Sequence, residues 1–249
     1  MFNFFKKRTV KTQADFSALG VDLHSHLVPG IDDGAPDLDT SLALIRQLAE
    51  LGYSKIITTP HVMGDYYPNS SRTILEGLEK VKTAAQAAGI AVELQAAAEY
   101  HLDENFEKLL AAGDLLTLPG KRLLFELSFF GEPRDIEQTI FELCTKGYRP
   151  ILAHPERYPY YNGKTATMQR FKDMGCALQV NILSLTGHYG EPTKKWALQL
   201  VKEKLADYLG TDLHHQGHID LLKKSLQQVT LQKILNETEF KNRQLSEGL

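Results

Sequence analysis

Seven short apolar runs, each followed by a helix-like stretch, restrict this chain more than any other feature of its sequence. The runs are Val21–Leu23, Lys55–Thr59, Ala91–Ala98, Arg122–Leu127, Pro150–Ala153, Ala177–Ile182 and Asp207–Gly210, and each reads as a buried strand. Between them, apolar residues recur at helical spacing. One such face holds Leu38, Leu42, Ile45 and Leu48, and a second holds Ile74, Leu78, Val81, Ala85 and Ala88. Ile136, Ile140, Leu143 and Cys144 repeat the spacing, and Trp196, Leu200 and Val201 do so more briefly. Gly52, Gly89, Gly113, Gly147 and Gly175 fall near the ends of helical patterns, where a left-handed cap suits glycine. The alternation predicts an α/β fold with a parallel sheet, most economically a closed or nearly closed barrel. A doubly wound open sheet is the alternative, and no Gly-rich nucleotide fingerprint supports it. With no Pro/Ser-rich linker, charge block or internal repeat in 249 residues, one domain is expected, residues 1–20 forming a partly flexible extension.

The ionisable residues are not scattered over this frame. Strand one ends in Asp22-Leu23-His24-Ser25-His26, and its loop runs on to Asp32-Asp33-Gly34. The following runs end in Thr59-Pro60-His61, Glu99-Tyr100-His101, Phe125-Glu126-Leu127, Ala153-His154-Pro155-Glu156-Arg157 and Thr211-Asp212-Leu213-His214-His215. In a parallel barrel all these ends meet on one face, where such folds place their chemistry. The imidazoles of His24 and His26 are two apart and share a side of the strand, and Asp212 with His214 repeats that geometry. Glu126 sits in the apolar run Leu123-Leu124-Phe125, and an ionised carboxylate there needs a partner or a metal. One histidine at a strand end is ordinary. Six strand ends each carrying a candidate ligand point to a polynuclear metal site, and imidazole with carboxylate but no thiolate suits Zn, Mn or Fe.

Bulk composition excludes some alternatives. A formal charge of -3 offers no global basic field for nucleic acid. Cys144 and Cys176 cannot build a disulfide framework, which fits a reducing cytoplasm. The start, Met1-Phe2-Asn3-Phe4-Phe5-Lys6-Lys7-Arg8, reverses the order of a secretory signal and is too short to span a bilayer, so no stable membrane insertion is expected.

These motifs resemble the polymerase-and-histidinol-phosphatase (PHP) superfamily, and within it the capsule and exopolysaccharide tyrosine phosphatases. The resemblance is carried by Asp-Leu-His-Ser-His-Leu-Val-Pro-Gly-Ile-Asp-Asp-Gly at 22–34, Thr-Pro-His at 59–61, Ala-His-Pro-Glu-Arg-Tyr at 153–158 and Met-Gly-Cys-Ala-Leu-Gln-Val-Asn at 174–181. It implies a distorted (β/α)7 barrel holding three divalent ions, Mn²⁺ favoured with Fe or Zn as alternatives. It assigns His24, His26, Glu99 and Asp212 to the first ion, with Glu99 bridging to the second. Glu126 and His154 complete the second, while Asp33, His61 and His214 take the third. Arg157 matches the phosphate-binding arginine. The run Leu-His-His-Gln-Gly-His-Ile after Asp212 lacks the second arginine of some members, which leaves a second phosphate contact to His215, His218 or Arg134. The loop after His61, Val-Met-Gly-Asp-Tyr-Tyr-Pro-Asn, differs from the basic loop of many relatives.

The implied activity is hydrolysis of a phosphotyrosine protein, such as the tyrosine-rich tail of a polysaccharide-export kinase, by direct attack of a metal-bound hydroxide. Arg157 would neutralise the phosphoryl oxygens, and Asp33, His215 or His218 would assist the leaving group. By formal count, three divalent ions against four carboxylates leave about two positive charges for a phosphate dianion. Cysteine chemistry is the natural competitor. It needs a Cys and an Arg with five residues between them in one phosphate-cradling loop, but Cys144 is followed by Arg149 with only four residues between, and both cysteines read as packing residues. A small-molecule phosphatase such as one for histidinol phosphate, or a non-catalytic partner-binding subunit, are the other readings. Oligomeric state is left open. Tyr66, Tyr67, Tyr158, Tyr160 and Tyr161 are candidates for an aromatic rim, and His188-Tyr189-Gly190 reads as plain loop.

Overall fold

The computed structural model describes residues 15–246. The N-terminal apolar-then-basic segment, and residues 1–14 of the expected extension, lie outside the described residues. Residues 15–20 belong to the body of the protein, with Phe16 and Leu19 buried in the core.

In chain order the elements are β1 (Val21–Asp22), α1 (Leu38–Glu50), β2 (Lys55–Thr58), β3 (His61–Val62), α2 (Ser71–Ala87), β4 (Glu93–Ala96), β5 (Glu99–His101), α3 (Glu104–Ala112) and β6 (Arg122–Glu126). They continue as α4 (Ile136–Thr145), β7 (Arg149–Ala153), α5 (Thr165–Asp173), β8 (Ala177–Asn181), α6 (Ile182–Thr186), α7 (Glu191–Lys202), β9 (Tyr208–Gly210), α8 (Gln216–Ser225) and α9 (Val229–Glu237). The strand–helix alternation is therefore as expected. Two of the seven anticipated strands, however, are each broken in two. The run at 55–59 stops at Thr58 and resumes as β3, and the run at 91–98 narrows to β4 and resumes as β5. Pro60 lies at the first break; it donates no backbone hydrogen bond and bars helical backbone at Thr59.

All registered strand pairs are parallel. They form a three-stranded sheet, β1-β2-β4, and a six-stranded sheet, β3-β5-β6-β7-β8-β9. Backbone bonds cross the breaks, from Ala97 N–H to the Thr58 carbonyl (2.9 Å) and from Glu99 N–H to the Pro60 carbonyl (3.1 Å). At the far side a lone parallel bridge joins Ser25 to Leu213, with His26 N–H donating to the Leu213 carbonyl at 2.9 Å and Asp212 N–H to the His24 carbonyl at 2.8 Å.

The helices present the expected faces, except that Ala88 follows the end of α2 and is exposed. Ile74, Leu78, Val81 and Ala85 of α2 are buried, as are Ile136, Ile140 and Leu143 of α4 and Trp196, Leu200 and Val201 of α7. Carboxylate caps start two helices: Asp37 accepts from Thr40 N–H and Asp103 from Phe106 N–H. Gly113, left-handed at φ 72°, ends α3, one of the five glycines whose capping role the sequence predicts.

The floor of the sheets is tied by Asn242, in the 3-10 turn Lys241–Leu245. Its buried amide donates to the carbonyls of Val21 in β1 (2.9 Å) and Leu209 in β9 (2.7 Å), while its oxygen accepts from Leu209 N–H at 3.1 Å. Asn242→Ala strands these backbone groups and is expected to destabilise the protein by about 1–3 kcal/mol, read as a lower urea midpoint. An unchanged midpoint would mean that water enters and replaces the amide.

Candidate metal centre

The strand ends deliver the ionisable side chains to one place. Among the described residues, the groups able to hold a metal ion are His26 with Asp33, His61 and His214; His24 with Glu99 and His154; His24 with His26 and Asp212; and His61 with Glu99 and Glu126. Together they contain the nine ligands expected from sequence and no other residue. The hub is Glu99, at the start of β5 and wholly buried. Its Oε2 lies 3.2 Å from His24 Nε2, 3.5 Å from His26 Nε2 and 3.1 Å from His61 Nδ1, and its Oε1 lies 3.1 Å from His154 Nε2. Glu126 is also buried (4% exposed), as its apolar neighbours predict. It sits 3.6 Å from His61 and 3.9 Å from His154. Asp33 Oδ1 is 3.5 Å from both His61 Nε2 and His214 Nε2. His61 thus faces Glu99 and Glu126 with one nitrogen and Asp33 with the other.

Apart from the hydrogen bond between His154 Nε2 and Glu99 Oε1, these contacts are close without being hydrogen bonds. His24 Nε2, His26 Nε2, His61 Nδ1 and Glu99 Oε2 are buried and make none, a costly arrangement unless something else satisfies them. Donors held about 2.1 Å from a common divalent ion lie about 3.0–3.4 Å apart, close to the spacing found here. The chemistry of the donors fits as well, since oxygen and imidazole nitrogen without sulfur suit a hard or borderline cation.

Surrounding groups aim the imidazoles. Asp32 Oδ2 bonds His26 Nδ1 at 2.8 Å, and the Asp212 carbonyl bonds His214 Nδ1 at 2.9 Å. In both rings Nε2 is left facing the cluster. Asp22, the buried last residue of β1, accepts from Thr211 N–H (3.0 Å) and Thr211 Oγ1 (2.9 Å), which holds the turn that carries Asp212. That turn is strained. Asp212 has φ 52° and His154 has φ 34°, each in the left-handed region that costs a non-glycine residue about 1–3 kcal/mol. His101 reaches Glu126 Oε1 at 3.3 Å.

Electrostatics follow from crowding. Burial disfavours charge on Glu99, but His24 and His61 outweigh it and hold its carboxyl well below the usual range. Burial likewise opposes charge on His24, yet Glu99 and Asp212 raise it to about 10; for His214, Asp33 and Asp212 overcome burial and raise it to about 9. Burial pushes His26 down to about 4, helped by His214 and His61. A metal bound there would have to displace any proton that these imidazoles carry.

An open cavity of about 400 Å³ lies over the cluster, lined by nine residues already named as ligands or as candidate proton donors together with Met63, Tyr67, Phe129, Arg157 and Tyr189. Arg157 Nη1 donates to Asp212 Oδ2 at 2.9 Å. Its guanidinium lies between two rings, 5.0 Å from the Phe129 centroid and 4.4 Å from that of Tyr189. Tyr189, read from sequence as plain loop, is therefore part of the site; an isolated tyrosine after a strand carries no periodic or motif signal. The aromatic rim also differs from expectation. Tyr67 lines the cavity and stacks on His61 at 5.5 Å, whereas Tyr158 and Tyr161 are fully buried and Tyr66 is 75% exposed. His215 and His218 line the cavity, but Arg134 is exposed and lines a different groove beside Asp103, Glu107 and Asp135.

His218 gives a pH handle. Burial, then His215 and His214, lower it to about 4, so between about pH 6.5 and 4 the unfolded chain binds a proton that the folded chain refuses. Its contribution to stability is complete above pH 6.5 and is lost as pH falls towards 4. His218→Asn should shrink the drop in urea midpoint between pH 7.5 and 5 in metal-free protein; an equal drop in both proteins would assign the loss to other groups.

The model of the capsular polysaccharide synthesis CpsB/CapC family matches residues 20–239. The tyrosine-protein phosphatase YwqE of Bacillus subtilis is 31% identical over 196 residues, covering 78% of this chain and 77% of that protein. The tyrosine-protein phosphatase CpsB of Streptococcus pneumoniae is 26% identical over 201 residues, covering 78% and 83%. Among solved structures, one from work on YwqE of Bacillus subtilis and CpsB of Streptococcus pneumoniae, described there as unique metal-dependent tyrosine phosphatases, superposes with a TM-score of 0.75 at 27% identity, over 88% of this chain and 96% of that one. A Listeria monocytogenes lactonase, 13% identical with a TM-score of 0.53, shares the fold alone. A family match across nearly the whole described chain, centred on strand ends that carry four carboxylates and five imidazoles, makes this protein a member of the CpsB/CapC family of capsular polysaccharide synthesis.

Proposed function

We propose that this protein is a metal-dependent protein-tyrosine phosphatase of a capsule or exopolysaccharide system. The observation that carries the reading is the cluster of nine oxygen and nitrogen ligands around buried Glu99, with Arg157 at its edge. Three divalent ions, Mn²⁺ first, would be held by His24, His26, Glu99 and Asp212; by Glu99, Glu126 and His154; and by Asp33, His61 and His214. Bound there, the ions supply positive charge for a phosphoryl group and acidify a water near neutral pH. The bridge from Ser25, after β1, to Leu213, after β9, supports our reading of a distorted (β/α)7 barrel formed by a single domain. No described helix is long and apolar enough to cross a membrane, and we read the site of action as the cytoplasm.

This chain's own groups would do the rest. Arg157 presents a planar fork that can pair with two phosphoryl oxygens, and the flanking rings of Phe129 and Tyr189 limit its rotamers. Tyr67 and Phe129, which both line the cavity, offer apolar faces to a phenyl ring. A phenol leaves with a pKa of about 10, so little proton assistance is required, and His215 in the cavity wall can give it, whereas His218, lowered to about 4 by burial and by His215 and His214, holds no proton near neutral pH. The chemistry recognised is an aryl phosphate on a protein, for which the tyrosine-rich tail of a polysaccharide-export kinase is the proposed source.

The deciding experiment measures phosphate release from a phosphotyrosine peptide and from histidinol phosphate, on protein as purified, after chelation and after Mn²⁺ is restored. Metal-dependent turnover favouring the peptide is expected. Preference for histidinol phosphate would keep the site and replace the substrate, and absence of bound metal would sink the site. Two variant sets probe the mechanism. Glu99→Gln should lose metal and activity together, while the Cys144→Ser, Cys176→Ser double variant keeps both. Arg157→Ala should lower kcat/KM about a hundredfold to a thousandfold with metal content intact.

A further inference from the structure

The interior of β8 carries a polar chain that no ligand assignment uses. Gln179 and Asn181 are both fully buried and, two apart on one strand, share a face. Asn181 Nδ2 donates to Asp212 Oδ2 at 2.7 Å. A carboxylate only accepts, so the amide orientation of Asn181 is set, and its Oδ1 is turned to receive Gln179 Nε2 at 2.9 Å. That bond in turn fixes Gln179, whose Oε1 lies 2.8 Å from His24 Nδ1. An amide oxygen accepts only, so His24 must carry a proton on Nδ1. Its Nε2, buried without a hydrogen bond, faces Glu99 and Asp212.

Two further contacts hold the chain in place. The Asn181 backbone N–H donates to Glu156 Oε1 at 2.9 Å, so the strand cannot slide past the His-Pro-Glu-Arg turn. Gly210 leaves room above Gln179: a methyl group there would come within 2.7 Å of Gln179 Nε2 and 2.9 Å of the His24 Cβ. The packing is thus built around the glutamine.

We propose that Asn181 and Gln179 are positioning residues that transmit the fixed polarity of the Asp212 carboxylate to His24, locking its Nδ1–H tautomer so that Nε2 is offered to a cation shared with Asp212. The inference rests on the metal-site reading above. It makes two ligands contributed by opposite ends of the chain mutually dependent: the carboxylate that binds the ion also selects the protonation pattern of the imidazole that binds it. Neither amide touches substrate or metal.

The test uses Zn²⁺, which is diamagnetic, with wild type, Gln179→Met and Gln179→Glu. Calorimetry gives stoichiometry and affinity, and ¹H–¹⁵N correlation of the histidine side chains identifies which ring nitrogen bears hydrogen. Wild type should show a slowly exchanging His24 Nδ1–H in the zinc-loaded protein. Gln179→Met should lose that protection and bind the tightest ion about 10–100-fold more weakly, with unchanged far-ultraviolet circular dichroism. Gln179→Glu, which still accepts from Nδ1–H but no longer donates to Asn181 Oδ1, should restore the signal. A wild-type His24 protonated on Nε2 overturns the proposal without any variant, as does equal zinc affinity in wild type and Gln179→Met. Failure of wild type to bind zinc at all is a different result, and it removes the metal-site reading together with the relay.

Discussion

One buried carboxylate organises the molecule. Glu99 has four imidazoles within 3.5 Å, three of them on a single oxygen. Those imidazoles come from the end of β1, from β3 and from the end of β7, so the strands can pair only in an order that brings their ends around Glu99. A lone carboxylate in such a place would be prohibitively costly. Imidazolium charge offsets that cost in the cation-free protein, and a metal cluster would do so more completely. The same crowding keeps His26 neutral while His24 and His214 hold protons.

Holding the ligands there demands local distortion. His154, directly after β7, and Asp212, two residues after the end of β9, both take left-handed backbone. The surroundings oppose relaxation. Thr211 is clamped by Asp22, and Glu156 is bonded to Asn181 and Ser184. Strain of this kind persists only where neighbouring contacts over-determine the conformation. Here the neighbours are the buried polar network itself, which links strand ends that the two sheets alone would leave only loosely coupled.

Arg157 joins this network to the cavity. Its bond to Asp212 and its place between Phe129 and Tyr189 orient a long, flexible side chain before any anion arrives, which limits the entropy lost on binding one. The guanidinium stays charged at any ordinary pH. The cavity therefore combines a fixed cation, aromatic walls and a floor of metal-type ligands, the three features an aryl phosphate would meet in turn.

The α/β alternation, the helical faces and the nine candidate ligands were legible because each leaves a local mark. Apolar period exposes an element, and a His, Asp or Glu at the end of an apolar run stands out against its neighbours. Glu126 is the clearest case, a charge inside a run that has to be buried. What only the tertiary structure decided are relations without local signature. Gln179 looks like any polar residue in a strand until packing places it against His24, 155 positions away. Tyr189 becomes a wall of the site only because α6 and α7 turn its loop towards Arg157. Arg134, close in sequence to Phe129, is carried to another groove, and Tyr158 and Tyr161 are taken into the core, where their large apolar area is better removed from water. Sequence determines which groups a chain possesses and how its elements alternate. Which of those groups share a cavity, and which proton each imidazole keeps, is set by burial and by hydrogen-bond direction across segments far apart in the chain.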